Sequence, residues 1–210
     1  MHDYEFTNDW FERTCLPNWN VLLPRIQPRR ILEIGSFEGA STCHLIDTLA
    51  RQYPIELHCV DTWEGGIEHQ AGGAAHTDMD AVEKRFLHNT ARAGAAATHP
   101  VDLQLHKGFS HSAMSRLIAA GKENYFDFIY VDGSHQAPDV LCDAVLAFKL
   151  LRVGGTLGFD DYLWSEDLPG GDDPLRCPKP AIDAFTAIFA RKLQTIALPA
   201  YQLYVEKLSD

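Results

Sequence analysis

RILEIGSFEGAS, residues 30–41, has the pattern of a short buried strand that runs through a glycine-containing turn directly into a helix. Turns of this kind bind nucleotides in α/β folds, because backbone N–H groups at the helix start face the ligand. Gly35 can adopt conformations that other residues avoid, and Gly39 allows close packing of the helix. The spacing is GxxxG and lacks the middle glycine that brings backbone near a pyrophosphate. We therefore expect a ligand without pyrophosphate, although the turn can also be a purely structural connection.

Apolar runs and helical patterns alternate on both sides of this turn, which predicts an α/β fold of the Rossmann-like, doubly wound type with a mostly parallel sheet. The last two strands are joined by only three residues, and so short a connection requires an antiparallel pair. The predicted strands are Arg30–Ile34, Glu56–Val60, Asp102–His106, Phe126–Val131, Gly155–Phe159, Gln194–Ala197 and Tyr201–Glu206. The predicted helices are Ala40–Gln52, Met79–Ala93, Ser112–Ala120, Ala137–Leu151 and Ala181–Ala190.

Composition favours a small-molecule partner. The 18 basic and 29 acidic side chains give a net charge of −11, which would repel nucleic acid and anionic membranes. The five cysteines are scattered and form no CxxC pair, so we expect reduced packing residues rather than a disulfide framework or a zinc cluster. No apolar run approaches the roughly 18 residues of a membrane span.

The first 29 residues are expected to form one or two helices, with Trp10, Phe11, Trp19 and Leu22 as apolar anchors. We predict a helical cap, residues 1–29, over the edge of the sheet or a substrate mouth, followed by the main domain at residues 30–210. The aromatic residues of this N-terminal cap could instead form the interface of a homodimer. The polar, acidic start lacks the pattern of a secretory signal, so the cytoplasm is the expected location.

The second predicted strand ends in an acidic residue, Asp61, 26 residues after Gly35. An aspartate at this position can accept both ribose hydroxyls of an adenosine ligand, or it can cap a turn. Together with the GxxxG turn, it favours an adenosine-type ligand.

These motifs, with Asp61-Thr-Trp63, Val131-Asp-Gly-Ser-His135 and Phe159-Asp-Asp-Tyr162, resemble the class I methyltransferases that use S-adenosylmethionine (SAM). Specifically, the chain is similar to a small family with an IDGxH…GG…HD pattern, related to catechol O-methyltransferase and macrocin-type sugar O-methyltransferases. The resemblance implies a seven-stranded sheet whose last strand is antiparallel. It also implies that Gly35 and Ser36 approach the methionine part of SAM, that Asp61 approaches the ribose, and that Trp63 and the 108–110 turn approach the adenine. The full set of predicted cofactor-binding residues is Glu33, Gly35, Ser36, Phe37, Gly39, Ser41, Asp61, Thr62, Trp63, Gly108, Phe109, Ser110 and Asp132.

Three carboxylates, Asp132, Asp160 and Asp161, follow two of the predicted strands. If these strands are neighbours, the carboxylates converge, and a cation relieves their repulsion. Oxygen ligands suit Mg²⁺, or another divalent cation such as Mn²⁺ or Ca²⁺. The alternative is that individual aspartates cap turns or contact an amine of the ligand. Many members of the family have His where Asp160 stands.

His135 is the predicted catalytic base, because it follows Asp132 closely and a neutral imidazole can accept a proton from an acceptor hydroxyl. The catechol-type enzymes have a lysine at the matching place. The alternative is a helix-capping or solvent-facing histidine. We therefore expect metal-assisted O-methylation of a small sugar, phenol or natural product. A SAM-binding protein without turnover, a hydroxylase-partner protein on the same fold, and an NAD-dependent oxidoreductase are the other readings.

Two loops are candidates for contact with the substrate. Gly65–Asp80 is glycine-rich and predicts a mobile lid, and its histidines His69 and His76 also leave a zinc site open. Trp164–Pro180 predicts a second substrate loop, in which Arg176 and Lys179 either meet an acidic group or are solvated surface charges.

Overall fold

The alternating segments form one seven-stranded sheet in the order β3-β2-β1-β4-β5-β7-β6. A computed structural model describes residues 4–69, 73, 75–166, 171, 173–199 and 201–210. Strands β1 to β5 pair in parallel, and β7 pairs antiparallel with both β5 and β6. The predicted fold class and the antiparallel last strand are therefore confirmed. The strands are β1 Arg30–Ile34, β2 Ile55–Asp61, β3 Val101–Lys107, β4 Phe126–Val131, β5 Leu151–Phe159, β6 Leu193–Ile196 and β7 Leu203–Lys207.

The chain order reverses at β1, which has β2 on one side and β4 on the other. Ligands bind at such a switch point in open α/β sheets, outside the carboxyl ends of the strands. The GxxxG turn follows β1, Asp61 ends β2, and the aspartates follow β4 and β5. The topology therefore brings the predicted motifs to one edge.

Seven helices cover the sheet in the described part of the chain, together with single 3₁₀ turns at Ile67–His69 and Pro174–Arg176. Several predicted ends were wrong by a few residues, for local reasons. The first long helix after β1 ends at Leu49 rather than Gln52, because the residues before Pro54 form a turn on the Leu49 carbonyl. The last helix begins at Lys179 rather than Ala181, since Pro180 fits the first turn, where its missing N–H is not needed. The helices are α1 Trp10–Thr14, α2 Leu16–Ile26, α3 Ala40–Leu49, α4 Met79–Ala96, α5 Ser110–Ala119, α6 Ala137–Leu150 and α7 Lys179–Ile188.

Strand β5 begins earlier than predicted, at Leu151 rather than Gly155. Leu151 pairs with Phe126 of β4, and the register then shifts before the regular pairing that starts at Phe128 and Thr156. The glycines Gly154 and Gly155 resemble a turn in the sequence, but they lie within this irregular pairing. A bulge of this kind hides the start of a strand from pattern analysis.

Helices α5, α6 and α7 pack on one face of the sheet, and α2, α3 and α4 pack on the other. Trp19 of α2 is fully buried, its ring lies 4.8 Å from that of Tyr130, and its indole N–H donates to the Tyr204 hydroxyl at 2.9 Å. Gly158 of β5 leaves the room for these rings, because a β-carbon there would lie within 3 Å of both tyrosines. The N-terminal residues are therefore not only a cap over an edge, since α2 completes a helical layer on the face of the sheet.

The five cysteines are free, as predicted, but not all of them are packing residues. Cys15, Cys43 and Cys59 are buried, whereas Cys142 is exposed on α6, and Cys177 is partly exposed. Among the described residues, no helix is both long and apolar enough to cross a membrane.

Candidate active site

The GxxxG turn presses directly against the end of β4. Gly35 has φ +83°, its N–H donates to the Val60 carbonyl at 2.8 Å, and a β-carbon there would lie 1.9 Å from the backbone oxygen of Asp132. Gly39, with φ +82°, precedes α3 directly, and a β-carbon there would meet the ring of Phe86 at 3.0 Å. Both glycines therefore have the conformational and packing roles that the sequence indicated.

Glu33 lies beneath this turn and has no exposed surface. Its carboxylate accepts hydrogen bonds from the hydroxyls of Ser36 and Ser41, each at 2.6 Å, and from the Thr42 hydroxyl. Burial raises the pKa of Glu33, and the hydroxyl hydrogen bonds oppose that shift. The structure thus gives Glu33 and Ser41 a place behind the turn, where they shape it. Thr42, which sequence analysis missed, belongs to the same cage.

Asp61 ties the turn to the end of β2. One carboxylate oxygen accepts the backbone N–H groups of Ser36 and Phe37, each at 2.9 Å, and the other accepts that of Trp63 at 2.8 Å. Phe37 and Trp63 have φ values near +50°, which are rare for residues with side chains and often mark ligand sites. The turn-capping alternative for Asp61 is therefore present in the structure. A carboxylate has about four acceptor positions, so a further hydrogen bond to a ligand is compatible with this capping role.

The two residues that follow Asp61 face different surroundings. Thr62 accepts the backbone N–H of Glu64 at 3.1 Å. Trp63 is only 5% exposed, its indole donates to the Phe37 carbonyl at 3.0 Å, and its ring packs against Phe86 of α4. The structure therefore gives Trp63 a place in the core beside the turn, and its approach to adenine stays a prediction.

The turn after β3 carries an exposed aromatic ring and a serine that contacts a buried acid of α6. Gly108 donates to the Asp61 carbonyl at 2.9 Å, and Phe109 is 60% exposed. The Ser110 hydroxyl donates to Asp143 of α6 at 2.6 Å. Burial raises the pKa of Asp143 to about 7, a nearby acid adds to the rise, and the Ser110 hydrogen bond opposes it. Asp143 was not predicted, although a lone acid within the apolar run VLCDAVLAF is a signal that could have found it.

The three predicted carboxylates converge at the ends of β4 and β5, which are paired neighbours. Burial raises the pKa of Asp132 well above its usual range, and the adjacent charges of Asp160 and Asp161 raise it further. Burial and the charge of Asp161 also raise the pKa of Asp160 to about 6. Asp132 and Asp160 are close enough for their charges to interact, and a proton or a cation relieves that repulsion.

His135 joins this group. Its Nε2 lies 2.9 Å from Oδ2 of Asp161, and its ring centroid lies 4.1 Å from that of Trp164. Asp132, His135 and Asp161 each offer one potential ligand atom, and these atoms lie within 4.8 Å of one another. Asp161 has φ +53°, another left-handed conformation at the carboxyl edge. The structure therefore brings together all the residues that the sequence predicted for catalysis and metal binding.

Three contacts to this group come from residues that sequence analysis missed. The Tyr201 hydroxyl donates to Asp161 at 3.2 Å, and the Gln202 side-chain N–H donates to Asp160 at 2.8 Å. The Cys15 thiol lies 3.4 Å from Asp160 and 2.8 Å from the Tyr130 hydroxyl. These residues lie far from Asp160 in the chain, so no local pattern reveals them.

A pocket of about 300 Å³ is lined in part by Trp164, whose ring contacts that of His135. Its Lys179 is paired with Asp183 at 2.5 Å, and nearby Arg176 is paired with Glu166 at 2.6 Å. The positively charged side chains of Lys179 and Arg176 thus both have acidic partners within the protein. The pocket is lined by Tyr162, Leu163, Trp164, Ser165, Pro174, Cys177 and Lys179. Residues 167–170 and 172 of this predicted substrate loop lie outside the described part.

The predicted lid is described only at its ends, since residues 70–72 and 74 lie outside the described part. His69 contacts the Phe37 ring, with centroids 5.4 Å apart, and His76 lies 3.1 Å from the His69 carbonyl. Asp78 caps the start of α4 by accepting backbone N–H groups. Lid motion and zinc binding stay predictions.

Comparison with known proteins agrees with this geometry. Residues 32–162 match a family described as a methyltransferase domain. Caffeoyl-CoA O-methyltransferase 1 of Eucalyptus globulus is 27% identical over 158 residues, which are 75% of this chain and 54% of that protein. The chain therefore spans about half the length of the curated relatives it matches. Cys15, Tyr201 and Gln202, which contact the carboxylates, all lie outside the matched family region.

Solved structures share the fold. The O-methyltransferase TomG from Streptomyces achromogenes, in complex with SAM, is 22% identical with a TM-score of 0.61, over 91% of this chain and 78% of that one. The O-methyltransferase from Bacillus cereus, in complex with SAH, is 18% identical with a TM-score of 0.63, over 98% of this chain and 84% of that one. Because the family match covers β1 to the end of β5, including the turn and the aspartates, this chain belongs to the family of methyltransferase domains.

Proposed function

We propose that the protein transfers the methyl group of SAM to a hydroxyl oxygen of a small molecule, with the help of a divalent cation. The observation that carries this proposal is the contact between the GxxxG turn and Asp132. The turn is typical of nucleotide sites. Three carboxylates and a histidine lie at the adjoining strand ends, and Trp164, which contacts this histidine, lines an open pocket. The relatives named above are O-methyltransferases, which supports the same reaction class.

The donor would lie along the carboxyl edge of β1, β2 and β3. Gly35 and Ser36 would face its methionine part, Asp61 its ribose, and the exposed ring of Phe109 its adenine. The hydrogen bonds from Asp61 to the turn hold the backbone in this shape before any ligand binds, which reduces the ordering cost of binding.

The acidic group fits a divalent cation in its chemistry. Asp132, Asp160 and Asp161 repel one another, and burial together with these neighbouring charges raises the pKa of Asp132 and of Asp160. Carboxylate oxygen donors suit Mg²⁺ or Mn²⁺. When bound, such an ion supplies Lewis acidity, which lowers the pKa of an acceptor hydroxyl.

His135 would take the proton from the acceptor hydroxyl as the oxygen attacks the methyl group. The methyl carbon–sulfur bond breaks as the new carbon–oxygen bond forms, and SAM becomes S-adenosylhomocysteine (SAH). Asp161, at 2.9 Å, would stabilise the imidazolium that results. The aromatic side chains of Tyr162 and Trp164 would hold the acceptor and exclude water from it.

Calorimetric titration with SAM and SAH tests the donor site, and a screen of phenols, sugars and other hydroxylated compounds for SAH production tests the reaction. We expect SAM binding and SAH formation with at least one acceptor in the presence of Mg²⁺. A folded protein that does not bind SAM would refute the proposal. SAM binding without SAH formation from any acceptor would instead indicate a SAM-binding protein without turnover. NADH binding, measured by its fluorescence, would indicate an oxidoreductase.

A further inference from the structure

The two consecutive aspartates after β5 are held by different partners. Asp161 contacts His135 and Tyr201. The carboxylate of Asp160 is instead held by Gln202 and Cys15. Its Oδ1 accepts an N–H of Gln202 at 2.8 Å, and its Oδ2 accepts a hydrogen bond from the Cys15 thiol at 3.4 Å. Adjacent residues of the same type therefore have distinct roles in the group.

Gln202 itself is locked in one orientation. It is only 2% exposed, and its carbonyl oxygen accepts an N–H of Asn18 at 2.5 Å. Asn18 is equally buried, and its side-chain nitrogen also lies 3.3 Å from the Pro199 carbonyl. A primary amide donates only through its nitrogen, so an oxygen engaged by Asn18 leaves the nitrogen to face Asp160. The direction of the hydrogen bonds runs from Asn18 through Gln202 to Asp160.

These consecutive hydrogen bonds connect helix α2 and the segment before β7 to the carboxylate of Asp160. Asn18 lies on α2, and Gln202 directly precedes β7, which pairs with β5. Both residues lie outside the region 32–162 that matches the methyltransferase family.

We propose that Gln202 is a positioning residue that fixes the carboxylate of Asp160 for cation binding, and that Asn18 sets the orientation of the Gln202 amide. The inference rests on the cation site of the proposed function. Asp132 and Asp160 repel each other when both are charged, so an unsupported Asp160 side chain would rotate away from the group. The hydrogen bond from the Gln202 N–H offsets that repulsion and holds the Asp160 side chain in one rotamer. Second-shell hydrogen bonds of this kind commonly change metal affinity by 10- to 100-fold.

The test measures Mn²⁺ binding to the whole 210-residue chain by the electron paramagnetic resonance signal of the free ion. Gln202→Met retains the length of the side chain and removes its donor. We expect its Kd for Mn²⁺ to rise about 10- to 100-fold, with the Kd for SAM changed less than two-fold. Asn18→Leu keeps Gln202 but removes the hydrogen bond that orients its amide. We therefore expect a smaller rise in the Kd for Mn²⁺, about three- to ten-fold.

Gln104→Leu is the matched control. Gln104 also donates to an aspartate, Asp102 at 3.2 Å, but on β3 at the opposite edge of the sheet, and its replacement should leave the Kd for Mn²⁺ unchanged. If Gln202→Met does not fold, Asn18→Leu decides the question alone.

Three results would overturn the inference. An unchanged Kd for Mn²⁺ in folded Gln202→Met excludes the positioning role and leaves the cation site intact. Equal losses of Mn²⁺ and SAM binding indicate a general structural role. No Mn²⁺ binding by the unmodified protein removes both this inference and the cation from the proposed function, while SAM binding would still support the donor site.

Discussion

The backbone of Gly35 and the backbone of Asp132 approach so closely that no side chain fits between them: a β-carbon on Gly35 would stand 1.9 Å from the Asp132 carbonyl oxygen and 2.7 Å from the α-carbon of Gly133. This contact joins the turn after β1 to the strand end that carries the first carboxylate. Any displacement of the turn would therefore move Asp132 as well, so the proposed donor and cation sites share one piece of backbone.

Gly35→Ala should disrupt this junction. The left-handed backbone costs about 1–2 kcal/mol for a residue with a side chain, and overpacking costs about 1–3 kcal/mol more. We expect a fall in Tm of roughly 10 °C and a marked loss of SAM affinity, measured by thermal denaturation and calorimetric titration. Gly94→Ala is the matched control, because Gly94 lies within α4 and has open space around it. That variant should gain about 0.5–1 kcal/mol from the better helix propensity of alanine. Equal stability of the two variants would contradict the role of the Gly35 contact.

A second prediction concerns the start of the chain, which is fastened to the turn through Glu38. This carboxylate is only 2% exposed and accepts the backbone N–H and hydroxyl of Thr7, each at 2.7 Å, and Nε of Arg85 at 2.5 Å. Arg85→Met would leave a buried charge without its partner. We expect a loss of about 3 kcal/mol in the free energy of unfolding, measured with urea.

Lys107→Met serves as the control for that variant. Lys107 pairs with Glu83 at 2.6 Å, but its side chain is 58% exposed, so the loss of this ion pair should not measurably change stability. A loss in Arg85→Met no larger than that in Lys107→Met would mean that Thr7 alone satisfies Glu38.

Sequence reasoning found the parts of the site that are local in the chain. The turn at Gly35 and Gly39 and the acid Asp61 each follow a strand within a few residues. The condition set for the carboxylates, that the strands before Asp132 and Asp160 are neighbours, is met by the pairing of β4 with β5. Convergence of Asp132 and Asp160 followed from that adjacency.

Contacts between distant residues could not be predicted in this way. Cys15 lies 145 residues from Asp160, and Gln202 lies 42 residues from it. Their arrival at the site depends on where α2 and β7 pack, and a single sequence encodes that only through the shape of the whole core. The packing of Trp63 likewise depends on the tertiary structure, since its ring lies in the core beside Phe86, a position that its local motif does not reveal.

A third prediction concerns the pH dependence of stability. Because burial raises the pKa of Asp143 to about 7, the folded protein retains a proton that the unfolded chain releases near pH 4. Stability from this group is therefore complete below about pH 4, is lost as the pH rises towards 7, and changes little above. Three pH units correspond to a cost on the order of 4 kcal/mol. Asp143→Asn has no proton to lose, so its advantage over the unmodified protein should grow from pH 5 to pH 7 and then level off.

Urea denaturation of both proteins between pH 5 and pH 8.5 measures the difference between their free energies of unfolding. The contributions of all other titrating groups are the same in the two proteins and cancel in this difference. Ser110→Ala provides a second check. The Ser110 hydroxyl lowers the pKa of Asp143, so its removal should move the loss of stability to higher pH. Parallel stability curves for Asp143→Asn and the unmodified protein would show that Asp143 does not titrate in this range.

The fourth prediction separates two roles for His135, which lies close enough to Asp132 and Asp161 to be a cation ligand as well as a base. If His135 is the base, His135→Gln should reduce methyl transfer about 10²- to 10³-fold with an acceptor found by the SAH screen. The Kd values for SAM and Mn²⁺ should stay within about three-fold, because the carboxylates of Asp132, Asp160 and Asp161 are untouched. A ligand role predicts that Mn²⁺ affinity and activity fall together. Asp161→Asn is the comparison, since it removes a proposed ligand and the partner of His135 at once, and it should lower both quantities. Full activity of His135→Gln at saturating Mg²⁺ would exclude the base role and leave proton removal to water.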